Sequence, residues 1–350
     1  GGQMSATIDE ALEMLAHTGP EFGPGLSNHG PMAAEALLVL DRADAVIPWV
    51  ERYRRRLQPE PQVRNPIARQ EWREALGDIG RVADWVAFFE RELAEAPWPE
   101  VVGLWAPRLA PGLAAAATHG VIRTAHAVRS LESGETPLRL KELAQALGYW
   151  AARYLELPGD PSDTSQGLPL AQALRRLEPL PAPSAGQRRP RLITEWLARL
   201  DGHPAFAGAI DLADASGDPS RFLSDLTETF AGVYLANAHT GHIIGFIHSV
   251  TGPRALRLLL PYLSPEAVPA ALRYGWQAAA GMYAAMGESA DVGPVQAPSE
   301  SSDDLIEQAV ATEDEHAIKF TEACLREHAL NRQPVYLAAA KHAVEALRPA

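Results

Sequence analysis

Apolar residues recur at helical spacing along most of the chain, whereas the sustained alternation typical of strands is absent from the sequence. Segments with helical spacing cover residues 8–15, 33–40, 45–57, 70–76, 79–96, 110–131, 141–155, 170–177, 191–200, 221–249, 254–262, 265–286, 313–323 and 336–347. Large aromatic residues such as Trp85, Phe88 and Phe89 share apolar faces, which is typical of core positions. The pattern predicts an all-α fold.

Three stretches interrupt this pattern. Residues 19–25 contain too many helix breakers for anything but a loop, and residues 287–302 are polar throughout. Residues 157–190 are rich in Pro, Gly, Ser and Asp, with one short helical pattern inside them. A domain linker is one interpretation of that stretch. A surface excursion is favoured, because histidine-bearing segments lie on both sides of it, and we expect a single large multi-helix domain over residues 4–350.

Composition and charge restrict the function. The 47% apolar and 21% charged residues fit a globular protein, and no apolar run reaches the length of a membrane span. A net charge of −13 argues against binding to nucleic acid or anionic lipid. Cys324 is the one cysteine, which excludes an intrachain disulfide and a cysteine-based zinc cluster, and we expect it to be buried. These features predict a soluble, cytoplasmic protein and leave its oligomeric state open.

Histidines on separate predicted helices are the candidates for chemistry. His29 precedes a helix on backbone held by Gly30 and Pro31, a position where functional and ordinary surface histidines both occur. His119, Arg123 and His126 share one helix face whose neighbours are small or apolar. We expect that face to be buried and to need polar partners, since an unpaired buried charge is costly. Arg123 and His126 are candidate catalytic residues.

The predicted segment 221–249 contains three further histidines. Gly241 and Gly245 are expected to loosen or kink it. On one continuous helix His239 and His248 would point to opposite faces, so both cannot serve one site there. His248 has the more apolar surroundings and is the better candidate for a buried role.

Near the C-terminus, His316 and Lys319 lie three residues apart on one predicted helix face. From spacing alone, an exposed ion pair between Glu315 and Lys319 is the simpler interpretation. The sequence contains no phosphate loop, dinucleotide fingerprint, Gly-x-Ser-x-Gly elbow or His-Glu-x-x-His motif. Several histidines from separate helices with few carboxylates instead fit a buried mononuclear transition-metal site between helices.

Four short motifs, in order and at comparable separations, resemble the questin oxidase-like family over nearly the whole chain. They are Asn28-His29-Gly30-Pro31-Met32, His119-Gly120-Val121-Ile122, Ile247-His248-Ser249-Val250-Thr251 and Asp314-Glu315-His316-Ala317-Ile318-Lys319. The resemblance implies an oxygenase that opens anthraquinone-type polyketides with O2, by Baeyer–Villiger-like or ring-cleaving dioxygenase chemistry. It also implies one non-haem iron (Fe2+) per chain, with the ligands His29, His119, His248, His316 and a carboxylated Lys319.

A carboxylated lysine makes chemical sense at this position. A buried neutral amine can add carbon dioxide and become an anionic oxygen ligand, which four neutral imidazoles lack. Five protein ligands leave one octahedral position for oxygen or substrate. The chain departs from the family at Arg123, where relatives carry a second histidine, and Arg123 is expected to pair with an acidic group of the substrate.

The substrate and two alternative functions follow from the same residues. Five tryptophans on apolar helices suggest room for a flat aromatic substrate: Trp49, Trp85, Trp105, Trp150 and Trp276. A metal hydrolase with the same ligands is one alternative. The identity of the metal would distinguish it from the oxygenase. A non-catalytic binder of aromatic ligands or haem is the other, and it needs only one or two of the histidines.

Overall fold

The helical pattern of the sequence extends through the computed structural model, which describes residues 2–350 apart from the side chains of residues 3–5. In chain order the α-helices are α1 Gly2–Met14, α2 Gly30–Val39, α3 Ala43–Tyr53, α4 Trp72–Ala75, α5 Val82–Glu95, α6 Trp98–Leu109, α7 His119–Glu132, α8 Pro137–Ala152, α9 Leu170–Arg175, α10 Ile193–Ala198, α11 Pro219–Ala236, α12 Ile243–Leu259, α13 Val268–Met286, α14 Ser302–Thr312, α15 Glu315–Leu330 and α16 Pro334–Ala346. The prediction of an all-α fold is confirmed.

Short 3-10 helices and one hairpin connect these helices. The 3-10 helices are Arg54–Arg56, Arg69–Glu71, Ile79–Arg81, Ala110–Gly112, Ala115–Thr118, Arg199–Gly202, Pro204–Asp211, Ala238–Thr240 and Leu260–Tyr262. The hairpin pairs β1 Glu21–Phe22 with β2 Leu26–Ser27 in antiparallel register. The expectation of a loop over residues 19–25 is therefore wrong in part, because residues 21 and 22 form β1, while the residues after them make the hairpin turn.

Several predicted boundaries change. Segment 221–249 is two helices, α11 and α12, and they are separated at Gly241, whose φ of 83° ends the 3-10 turn between them. Gly245 does not kink α12; it lets the helix approach Met286 closely. Helices α6 and α14 were not predicted, and α6 contains two prolines after its first residue. Segment 110–131 is α-helical only from His119 onward and has two 3-10 helices before that residue.

The core is built mainly by helix pairs. Helix α5 packs on α8, α8 on α7, α7 on α12, and α12 on both α11 and α13, while α15 packs on α2 and α16. The largest fully buried side chains in this core are Trp85, Trp105, Trp150 and Trp276, together with Arg139. Cys324 is also buried, as expected. One apolar cluster extends from Met32 to Ala343, so the helices on both sides of residues 157–190 share a core.

Two of the stretches that interrupt the helical pattern, residues 157–190 and then residues 287–302, lie on the surface but are attached to the core. In the first, α9 buries Leu170 and Leu174, and the Leu180 N–H donates to the Ala284 carbonyl. In the second, the Asn237 side-chain oxygen accepts from two successive backbone N–H groups of residues 288 and 289. Within residues 2–350, none of the helices combines the length and apolar character needed to cross a lipid bilayer.

Candidate metal centre

Four histidines from four different segments meet in one cluster, in which His316 is half-buried and the other three are buried. His29 is the residue before α2, His119 begins α7, His248 lies in the first half of α12 and His316 in the first turn of α15. The ring centre of His29 lies 4.7 Å from that of His119 and 4.6 Å from that of His316, and the rings of His119 and His248 are 4.3 Å apart. Helix packing therefore brings together the histidines that the sequence motifs singled out.

The closest approach in the cluster joins two ring nitrogens that both carry lone pairs. His29 Nδ1–H donates to the Ser27 carbonyl at 2.8 Å, and His119 Nδ1–H donates to the Ala116 carbonyl at 2.6 Å. In both neutral rings Nε2 is then an acceptor. The two Nε2 atoms face each other at 2.9 Å, where neither can donate to the other. Two nitrogens bound at right angles to one ion, each about 2.1 Å from it, lie about 3 Å apart, so this spacing fits a shared cation.

His119 is held by an unusual backbone turn. Ala116, Ala117 and Thr118 all adopt left-handed conformations, with φ of 51°, 54° and 70°. Each such residue costs about 1–2 kcal/mol relative to the right-handed region. The turn directs the Ala116 carbonyl back onto His119 Nδ1. The predicted helix over residues 110–131 is therefore wrong at Ala116 and Ala117, where the left-handed backbone orients His119 instead.

His248 and His316 present their nitrogens to the same space in different ways. His248 is fully buried, and among the described residues its ring nitrogens make no hydrogen bond of standard geometry, only a weak contact with the backbone of Ile244. His316 Nδ1 lies 3.2 Å from Asp314 Oδ1, which also caps α15 by accepting the His316 N–H at 2.7 Å. One carboxylate thus starts the helix and orients the imidazole with Nε2 free, the arrangement usual for metal-binding histidines. A buried ring without a hydrogen bond of standard geometry is costly unless something else binds it.

The protonation state of the cluster suits metal binding. Burial holds the pKa of His29, His119 and His248 well below the ordinary histidine value, and the positive charge of the Lys319 amine contributes to lowering all three. These rings are therefore neutral near pH 7. Neutral imidazole is the form that binds transition metals, so the residues present fit such an ion.

Lys319 is buried beside the cluster, so the simpler interpretation of an exposed ion pair with Glu315 is wrong. Its side chain is 2% exposed, and its Nζ lies 3.9 Å from Met32 Sδ. Burial lowers the pKa of Lys319 to about 7, a shift that the charges of Glu315 and Asp314 only partly oppose. A large fraction of the amine is accordingly neutral near pH 7.

A cavity of about 640 Å³ opens onto the histidines. Its wall includes all four of them, together with the β1–β2 hairpin, the left-handed turn at Ala116 and residues at the start of α10 and α12. Lys319 is not among the lining residues. A small molecule in this cavity would therefore meet the histidines without touching Lys319.

Helix α7 also carries His126, which takes part in a second buried cluster. His126 Nδ1 is 2.7 Å from Glu35 Oε1, and Arg129 bridges Glu35 to Glu322 with contacts of 2.6 and 2.5 Å. Arg254 adds two further contacts to Glu322. The side chains of Glu35, His126 and Glu322 lie close enough together to hold a metal ion. Two guanidinium groups already balance the two carboxylates, so the cluster is a charge-balanced ionic network that ties α2, α7, α12 and α15 together.

Arg123 is buried, as its position on the face of His119 predicted, but it faces away from the cavity. Its guanidinium makes two hydrogen bonds to the Glu142 carboxylate, at 2.8 and 2.7 Å. Neither Arg123 nor His126 lines the cavity. The expected contact of Arg123 with an acidic substrate group is replaced by this ion pair between α7 and α8.

The cavity is not lined by the tryptophans whose helices suggested room for a flat substrate. None of those five tryptophans is in its wall, and four of them are fully buried in the core. Trp196 lies at the cavity wall instead, with its ring 4.7 Å from that of His242. Trp196 has no distinguishing sequence pattern.

His239 is exposed and pairs with Glu288.

Some site residues were missed by sequence reasoning. Asp314 had an available signal, since an Asp directly before a predicted helix is a preferred cap. Glu21, Ser27 and Tyr149 form a polar chain in the cavity wall, and the two contacts of Tyr149 cross more than 120 residues of sequence. No local sequence pattern predicts contacts between residues so far apart along the chain.

Comparison with known proteins adds a family to this geometry. A family model described as Questin oxidase-like matches residues 44–324, a range that contains His119, His248, His316 and Lys319, while His29 precedes it. No curated protein matches the chain. Because the matched range covers most of the sequence, the chain belongs to the questin oxidase-like family.

Proposed function

We propose that the protein is a metal-dependent oxygenase that reacts a polycyclic phenol or quinone with molecular oxygen. The observation that carries the proposal is the convergence of four imidazoles, three of them buried and that of His316 half-buried, at the wall of a cavity of about 640 Å³, with two acceptor nitrogens 2.9 Å apart. The family name describes an oxidase, which supports an oxidoreductase acting on a small molecule.

His29, His119, His248 and His316 would hold the ion, and Lys319 as a carbamate would add one anionic oxygen ligand. The neutral amine that carboxylation needs is favoured by the dry surroundings of Lys319, whose pKa is about 7. An iron ion bound there would supply the redox chemistry that lets oxygen react with an aromatic ring.

Residues of the chain orient the histidines and hold the substrate. The backbone carbonyls of Ser27 and Ala116 and the carboxylate of Asp314 fix three imidazole orientations. The cavity then holds the substrate beside the histidines, while apolar neighbours such as Ile244 and Met286 limit the access of water. Because Lys319 lies off the cavity wall, the side facing the cavity is the one left for oxygen and substrate.

Two measurements test this proposal. Elemental analysis of protein purified without chelators should find about one iron per chain, and zinc in its place would favour a hydrolase. Oxygen consumption should rise with polycyclic hydroquinones or quinones and should not respond to sugars or peptides. A broad polyketide panel that neither binds nor consumes oxygen would refute the substrate class even if the metal is present.

A further inference from the structure

The cavity wall next to His29 carries a chain of polar side chains. The hairpin register places Glu21 on β1 opposite Ser27 on β2, and the Tyr149 hydroxyl of α8 lies between them. Tyr149 Oη is 2.7 Å from Ser27 Oγ and 2.7 Å from Glu21 Oε2. Arg153 holds the same carboxylate at 2.8 and 2.6 Å. All four side chains belong to residues that line the cavity.

The hydrogen bonds of this chain have one consistent direction. The Glu21 carboxylate accepts two hydrogen bonds from the Arg153 guanidinium, and both of its oxygens act as acceptors in this chain. Tyr149 has a single hydroxyl hydrogen and must donate it to Glu21. Burial and the neighbouring Glu21 charge raise the pKa of Tyr149 well above its ordinary value, which keeps that hydrogen in place. Ser27 therefore donates its own hydrogen to Tyr149 Oη.

This direction leaves Ser27 Oγ as an acceptor. Ser27 is 7% exposed, and Tyr149 is the one hydrogen-bond partner recorded for its hydroxyl among the described residues. Its hydrogen is committed, so what it offers to a molecule in the cavity is a lone pair. The carbonyl of the same residue accepts from His29 Nδ1, which places this acceptor directly beside the histidine cluster.

We propose that Ser27, oriented by Tyr149 and Glu21, binds one free phenolic hydroxyl of the substrate and discriminates against the form in which that same hydroxyl is O-alkylated. The inference rests on the proposed function, because it takes the cavity as the substrate site. A methyl ether cannot donate to Ser27 and adds bulk at the hairpin wall. Tyr149 and Glu21 are positioning residues, since they act through Ser27.

The test compares two probes that differ only in this hydroxyl. Binding of 2-naphthol and 2-methoxynaphthalene to protein as purified without chelators is measured by calorimetry without oxygen at pH 7, where the naphthol is protonated. One neutral hydrogen bond corresponds to about a tenfold difference in affinity, and the wild type should prefer 2-naphthol by about that ratio. Equal affinities, or no binding of 2-naphthol, would overturn the inference.

Two variants separate this role from a merely structural one. In Tyr149→Phe the Ser27 hydrogen is released, so the preference for 2-naphthol should fall to about threefold or less. In Glu21→Gln the side-chain amide can donate to Tyr149, which reverses the chain and turns Ser27 into a donor, so the preference should disappear. Tyr262→Phe is the matched control, because Tyr262 also donates to a carboxylate at 2.7 Å but lies outside the cavity.

The outcomes separate this inference from the proposed function. Preserved discrimination in both Tyr149→Phe and Glu21→Gln would overturn the role of the polar chain, whatever the metal content. Discrimination by wild type that holds no iron would support the Ser27 site while contradicting the oxygenase proposal. Metal content is therefore measured on the same samples.

Discussion

Gly252 of α12 lies directly against the side chain of Thr118, and a Cβ at Gly252 would come within 2.8 Å of the Thr118 Cβ. Thr118 is the last residue of the left-handed turn that precedes His119, while Gly252 lies one helical turn beyond His248. This close approach therefore sets the distance between the helices that carry two of the proposed ligands.

Gly252→Ala should weaken metal binding. The added methyl must push the turn at Thr118 away from α12, and overpacking of this kind costs about 1–3 kcal/mol. We expect clearly reduced iron content by elemental analysis, with the helical circular dichroism spectrum retained. Gly232→Ala is the control, because its nearest contact would be an ordinary 3.6 Å. Full iron content in Gly252→Ala would contradict this account of the glycine.

His248→Ala and His316→Ala should each remove most of the metal while the protein stays helical. His248 makes no hydrogen bond of standard geometry among the described residues, and His316 is oriented by Asp314, so both act in the cluster rather than in the surrounding packing. His239→Ala serves as the control, since that ring is exposed and pairs with Glu288. Full metal occupancy in both cluster variants would contradict the assignment of these histidines as ligands.

The carboxylation of Lys319 should depend on pH. Carbon dioxide adds only to the neutral amine, and the pKa of Lys319 is about 7. Bicarbonate should therefore help reconstitute metal-free protein with iron above pH 7, with little effect near pH 5. Acidification should release carbon dioxide and metal together. Lys319→Ala should bind metal weakly, with partial rescue by a short carboxylic acid.

The same pKa predicts a pH-dependent stability of the metal-free protein. Above pH 7 the folded state has largely lost the Lys319 proton, whereas the unfolded chain keeps it up to about pH 10. The unfolded state then binds more protons, so the free energy of unfolding rises with pH across this window. Lys319→Met should flatten that rise in denaturant titrations. Lys341→Ala should behave like the parent, because Lys341 pairs with Glu300 and Glu345 near the surface.

Arg123→Met should lower stability rather than specificity. It leaves the buried Glu142 carboxylate without its partner, a change that costs about 3–5 kcal/mol in the free energy of unfolding. Arg175→Met breaks the exposed pair with Asp291 and should cost at most about 1 kcal/mol. Denaturant unfolding measures both. A selective loss of substrate affinity in Arg123→Met, with stability unchanged, would restore the contact with substrate that the sequence suggested.

The helices and the histidines of the site could be predicted because their signals are local. Helical spacing marked most segments, and short motifs marked His29, His119, His248 and His316 with Lys319. Those motifs gave the composition of the site, but the distances within it depend on the packing of helices far apart in sequence.

Other features could not be predicted for identifiable reasons. Alanine is the strongest helix former, so nothing local indicates that Ala116 and Ala117 adopt left-handed conformations. That backbone is imposed by the helices packed around it. Likewise, the partners of Arg123 and His126 come from other helices, and an Arg that pairs with Glu142 has the same sequence pattern as an Arg that faces a substrate.

The position of Trp196 has a spectroscopic consequence. Of the eight tryptophans in the chain, Trp196 is the one in the described residues that borders the cavity, and it also lies against the ring of His242. Contact quenching by an aromatic occupant would therefore dim a single indole, while emission from the core tryptophans would persist as an internal reference. The fluorescence of Trp196 would therefore report whether the cavity is occupied, and Trp196→Phe would abolish that signal.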